Sequence, residues 1–186
     1  MRQMMIRIQQ PTLDSPTNQI DFAELYTQQY ASIYRYIAYR VRDPASTDDL
    51  VAHTFERAMT RIETYRAERG SPGAWIFGIA RHCVDSYFQR QRRQRWLSLD
   101  FIREHVADNT DPIADTLRSE TNQQLYQALK KLKAHERDVI ALKFGAGLNN
   151  RQIAEITGHS ESNVGVMLYR SLQRLRQWLP NRGYEQ

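Results

Sequence analysis

Residues 149–178 read NNRQIAEITGHSESNVGVMLYRSLQRLRQW. Asn149 or Asn150 can cap a short helix that carries Ile153, Ala154 and Ile156. Gly158-His159-Ser160 makes a turn, and Ser160 can cap the next helix. That helix places Val164, Leu168, Leu172 and Leu175 on one stripe, spaced four, four and three. Small Ala154 lets two helices approach closely, and the turn glycine allows a sharp corner. This is the grammar of a helix-turn-helix, whose second helix enters a DNA major groove. An ordinary helical hairpin would share the spacing. The trailing Arg170, Arg174 and Arg176 favour the DNA reading.

Upstream, apolar residues recur at helical spacing and strand alternation is absent, so the expected fold is all-α. Phe22, Leu25, Tyr26, Ile33, Ile37 and Val41 form a first stripe, which Asp43-Pro44 stops. Ser46 or Thr47 is expected to cap a second helix, with Asp48 and Asp49 in its first turn and Leu50, Val51, Phe55, Ala58, Met59 and Ile62 following. Tyr65 to Gly73 reads as a loop broken by Gly70, Pro72 and Gly73. A third helix is predicted from about Ala74 to about Arg95, burying Trp75, Ile76, Ile79, Cys83, Val84 and Tyr87 or Phe88. After an acidic stretch, Leu125, Ala128, Leu129 and Leu132 suggest one helix, and Val139, Ile140, Leu142 and Phe144 another. The expected organisation is a flexible tail (1–20), a helical domain (21–95), an acidic linker (96–119) and a second helical domain (120–180).

The 186 residues carry a net charge of +5. Arginines 81, 90, 92, 93 and 95 cluster in the third helix, and arginines 170, 174, 176 and 182 near the C-terminus. Two separated basic segments can track phosphate backbone at two places. Residues 96–117 hold Asp100, Glu104, Asp108, Asp111 and Asp115 against the single base Arg103. No apolar run approaches a membrane span, Met1 to Gln10 lack a signal-peptide core, and Cys83 is the only cysteine, so a cytoplasmic protein is expected.

Residues 124–179 resemble region 4 of the extracytoplasmic-function (ECF) RNA polymerase sigma factors of the sigma-70 family. DPASTDDLVAHTFERAM (43–59) resembles region 2.2, and WIFGIARHCVDSYFQRQRR (75–93) resembles regions 2.3 and 2.4. The resemblance implies a subunit that binds core RNA polymerase, through the largest-subunit coiled coil and the flap, and directs transcription from promoter DNA. It makes a cognate anti-sigma factor a candidate partner. It assigns polymerase binding to Asp48, Asp49, Leu50, Thr54 and Phe55. It assigns −10 DNA contacts to Tyr65, Arg66, Arg69, Arg81, His82, Gln89, Arg90, Arg92 and Arg93. For −35 DNA it points to Arg151, Ser162, Asn163, Val166, Met167, Arg170 and Arg174. The chain departs from the family pattern at Ala52-His53, where Gln-Glu is frequent, and at His82, where Asn is usual. It departs again at Gly165 and Met167, where Lys or Arg is common. That second pair implies a weaker groove reader in which Val166 or Met167 touches thymine methyls.

Other classes fit less well. His53 and Glu56 share a helix face, but no second pair answers them, so no metal, cofactor or catalytic activity is expected. A response regulator would need a βα-patterned receiver before the helix-turn-helix. A protein that had lost DNA binding finds its best argument in Gly165 and Met167.

Overall fold

The computed structural model describes residues 20–97 and 116–179. All regular elements among them are helical. The order is α1 (Phe22–Val41), α2 (Pro44–Thr60), two 3-10 turns (Ile62–Thr64 and Ala67–Arg69) and α3 (Pro72–Leu97). Then come α4 (Thr116–Lys131), α5 (Ala134–Ile140), a π-helical turn (Ala141–Gly145), α6 (Asn150–Thr157) and α7 (Glu161–Trp178). The expected tail, apart from Ile20, lies outside the described residues, as do residues 98–115 of the expected linker. The ends of that linker are corrected: 96–97 belong to α3 and 116–119 to α4.

Local chemistry sets the helix starts. Asp21 caps α1 by accepting from the Ala23 and Glu24 amides at 2.9 and 3.3 Å. Asp43, not Ser46 or Thr47, caps α2: its carboxylate accepts from the Ser46 amide at 2.8 Å, and Pro44 stands at the first helical position. Hydrogen bonding from the Ser46 side chain, then from its amide, lowers the Asp43 pKa. Asp48 and Asp49 therefore fall beyond the first turn. Pro72 and Gly73, expected as breakers, open α3 instead, with the Ser71 hydroxyl accepting from the Ala74 amide at 3.2 Å.

The first unit packs Leu25, Ile33, Tyr36 and Ile37 of α1 on Leu50, Val51 and Phe55 of α2 and on Ile76, Phe77, Cys83 and Val84 of α3. The second packs Leu129, Leu132, Val139, Ile140, Leu142, Ile153, Val164, Leu168 and Leu175. Four residues placed on apolar stripes are exposed: Tyr26, Met59 (64%), Phe144 (55%) and Leu172 (44%). The π turn explains Phe144. Its wider i to i+5 ladder, with the Ala146 amide on the Ala141 carbonyl at 3.0 Å, shifts the register just past the regular α5. On α7, Ser171 is buried where a straight reading selects Leu172.

The two units pack directly on each other, α1 on the π turn and α3 on α6. Buried Asp138 of α5 sits at this seam. It accepts from the Tyr36 hydroxyl at 2.6 Å, from Arg40 Nη1 at 2.6 Å and from Arg81 Nε at 2.7 Å. Arg81 also donates to the Ile156 carbonyl at 2.9 Å, and Arg40 lies 3.6 Å from Asp85. Burial, then the Asp138 charge, raises the Tyr36 phenol well above its ordinary pKa. For Arg81, burial opposes the charged form, but the Asp138 charge and hydrogen bond outweigh it and the pKa rises. Nearby, a Cβ at Gly145 would lie 3.0 Å from Tyr39 Cβ and 3.2 Å from the Arg35 carbonyl oxygen. Only glycine admits this approach of α1, which Arg35 Nε secures by donating to the Gly145 carbonyl at 3.3 Å.

Two outcomes test this seam. Asp138→Asn keeps the shape but leaves Arg40 and Arg81 without their shared counter-charge, at a cost of about 3 kcal/mol. The radius of gyration from small-angle scattering should rise as the units part; an unchanged value would show that apolar packing alone holds them. Gly145→Ala should cost about 1–3 kcal/mol in denaturant unfolding, because backbone and Tyr39 must shift to admit the methyl.

Candidate nucleic-acid interface

The α6–α7 corner is built by local capping. Asn149, rather than Asn150, caps α6: its side chain accepts from the Gln152 amide at 2.9 Å, and Gln152 accepts in return from the Asn149 amide at 2.9 Å. Gly158 ends α6 in the left-handed region at φ 73°. Ser160 starts α7 by accepting from the Asn163 amide at 3.2 Å. Ile153 and Val164 are fully buried across the corner.

The opposite face of α7 is open. It carries Glu161, Ser162, Asn163, Val166, Tyr169 and Arg170, and Arg151 of α6 is exposed as well. Tyr169 is 65% exposed and was not among the residues assigned from the sequence. Its spacing of three from Val166 and seven from Ser162 was the available signal. Met167 is half-buried against the core and Gly165 is half-buried beside Asn150, so neither belongs to the open face. Arg174 pairs with buried Glu136 of α5. Burial alone would raise the Glu136 pKa, but the Lys133 amide and the Arg174 charge hold it below the ordinary value.

On α3, His82, Gln89, Arg90, Arg92 and Arg93 are exposed. Arg81 is occupied by Asp138 and the Ile156 carbonyl. In the preceding segment Tyr65 is buried, edge-on to Trp75 with ring centroids 5.9 Å apart. Arg66 folds back onto the Glu63 and Tyr65 carbonyls at 2.6 and 2.8 Å, and both Arg66 and Arg69 are exposed. Five of the nine residues assigned to one DNA element thus share the outer face of α3, joined at the surface by Arg69.

On α2, Asp48 and Asp49 are exposed, but Leu50, Thr54 and Phe55 are buried. The Thr54 hydroxyl donates to the Leu50 carbonyl at 2.7 Å. The outer face of α2 is Asp48, Asp49, Ala52, His53, Glu56 and Met59. Beside it, Tyr26 and Tyr30 leave aromatic surface around Phe55, at centroid distances of 4.6 and 6.0 Å. His53 Nδ1 and Glu56 Oε2 lie 3.7 Å apart on this surface. Among the described residues no three His, Cys, Asp or Glu side chains converge as metal ligands would.

Comparison with known proteins accounts for this layout. Sigma-70 region 2 matches residues 25–94, and Sigma-70, region 4 matches residues 122–175. The ECF RNA polymerase sigma factor SigX of Bacillus subtilis is 30% identical over 161 residues, 83% of this chain and 81% of SigX. The ECF sigma factor BldN of Streptomyces coelicolor is 31% identical over 160 residues, 86% of this chain but 61% of BldN. The sigma factor RpoE from Bartonella quintana, solved with the anti-sigma factor NepR, shares the fold with a TM-score of 0.60 at 22% identity, covering 88% of this chain and 99% of that one. The chain belongs to the ECF sigma factors of the sigma-70 family, whose work is promoter-specific transcription initiation with RNA polymerase.

Proposed function

We propose that the first unit, residues 21–95, binds core RNA polymerase through the outer face of α2 and reads the −10 element with α3, while the second, residues 120–180, reads the −35 element with α7. The observation that carries this reading is the free outer face of α7, which presents Ser162, Asn163, Val166, Tyr169 and Arg170 from a corner fixed by two caps. Asp48 and Asp49 supply the acidic contacts to polymerase; buried Leu50, Thr54 and Phe55 support them from beneath. His82, Gln89, Arg90, Arg92 and Arg93 supply the −10 contacts on the exposed side of α3. Arg151 adds a phosphate contact beside α7. The chain carries no catalytic chemistry of its own and works in the cytoplasm; in support, no described helix is long and apolar enough to cross a membrane.

The packed arrangement bears on this reading. Elements about 25 base pairs apart lie about 85 Å apart along the duplex at 3.4 Å per pair. Two units in direct contact cannot read both, so the Asp138 seam opens on the way to the promoter and releases Arg81 for DNA. An anti-sigma factor, as in the solved RpoE complex, would act here by holding the units together.

Transcription with purified core RNA polymerase tests the function: promoter-specific transcripts should depend on this chain, and their absence would overturn the reading. Asp49→Lys should weaken core binding about tenfold with the fold intact, as measured by fluorescence titration. Arg170→Ala should lower the log–log salt slope of promoter binding by about one unit. An unchanged slope would remove Arg170 from the DNA.

A further inference from the structure

A cavity of about 340 Å³ opens where the two units meet. Tyr39 of α1, Arg42 at its C-cap, Phe88 of α3, Tyr126 and Lys130 of α4 and Arg137 of α5 line it. Arg92 borders the adjoining hollow. Arg40 also lines the cavity and is paired with Asp138, and Asp85 lines the adjoining hollow; the remaining cations outnumber these carboxylates. Among the described residues no carboxylate stands within ion-pair distance of Arg42, Arg92, Lys130 or Arg137. The Arg137 guanidinium donates only to the neutral carbonyls of Lys130 and Leu132. Burial, then the charges of Arg40 and Arg92, pull its pKa down, the mark of a cation held without an anion.

The C-cap of α1 places one of these cations. Arg42 is the one non-glycine residue in the left-handed region among the described residues, at φ 60°. An arginine there strains the chain where glycine would not. The strained turn sets the Arg42 guanidinium 4.9 Å from the centre of the Tyr126 ring, with Lys130 Nζ 4.1 Å from the same ring. Clustered cations suit phosphates, and the walls of Tyr39, Phe88, Tyr126 and Leu129 suit a planar, partly apolar group.

We propose that this cavity binds a nucleoside diphosphate, its phosphates on Arg42, Lys130 and Arg137 and its base against the aromatic walls. The volume and concavity fit a small ligand and not a duplex. Because the walls come from both units, the site exists only while they are packed. A bound nucleotide therefore stabilises the packed form and holds the chain back from promoter DNA.

Calorimetric titration of the full chain with adenosine and guanosine diphosphates tests this, with inorganic pyrophosphate and a short single-stranded DNA as separate arms. A diphosphate should bind, more weakly as salt rises, and at least about tenfold more tightly than pyrophosphate. Arg42→Gly should weaken it at least about tenfold without lowering the melting temperature, since glycine takes this φ freely. Lys130→Glu should weaken it likewise. Asp138→Asn, which lies outside the cavity, should also reduce affinity by freeing the units. Absence of diphosphate binding at millimolar concentration, or full affinity in Arg42→Gly and Lys130→Glu, overturns the proposal. Equal binding of pyrophosphate overturns the nucleoside assignment. Displacement of the nucleotide by single-stranded DNA at equal or higher affinity overturns it in favour of a DNA contact.

Discussion

One carboxylate governs how the two halves of this molecule meet. Asp138 projects from α5 into the seam and is met by a phenol and two guanidiniums, all from the first unit. A carboxylate buried in the seam without partners would cost several kcal/mol, so the packed arrangement requires these donors. Packing follows from that. Gly145 brings the π turn against α1, and Arg81 reaches past Asp138 to the end of α6. The buried apolar residues of both halves form one cluster, and the Asp138 contacts fix the register in which the halves meet.

The seam treats the two DNA-directed helices unequally. α7 packs on α4, α5 and α6 and leaves its outer face free. α3 packs on α6 and gives up Arg81 to the contact, while keeping a basic strip from Gln89 to Arg93 in solvent. A cation that lends the seam its binding energy is also one of the cations a phosphate backbone would attract. The two uses compete for the same guanidinium, which couples domain separation to DNA binding without any further moving part.

The helices, the turn at Gly158 and the cap at Ser160 were legible because they depend on residues within one turn of each other. The order of the elements was legible for the same reason, and it sufficed to identify the family. What periodicity could not supply was the partner of each face. Tyr65 and Arg81 have the chemistry of nucleic-acid contacts, but their neighbours Trp75 and Asp138 lie ten and 57 residues away. Arg174 looked like another groove contact until Glu136 was placed beside it. Leu50, Thr54 and Phe55 share a helix with Asp48 and Asp49 but face inward. A stripe pattern assumes a regular 3.6-residue helix, so the π turn at 141–145 misled the reading of Phe144.

A charged seam suits a contact that must break. An apolar interface of the same extent would lose its full burial energy on opening and expose a sticky surface. Here the groups uncovered include a carboxylate, two guanidiniums and a hydroxyl, all of which water can satisfy. Hydration recovers much of what separation gives up, so the net stability of the contact is far smaller than its individual hydrogen bonds suggest. The geometry is nonetheless exacting: three donors must converge on two oxygens, which admits one mutual placement and rejects sliding alternatives. The seam is therefore specific without being strong. That combination lets a ligand, a protein partner or a promoter shift the balance between packed and separated forms with a modest free energy.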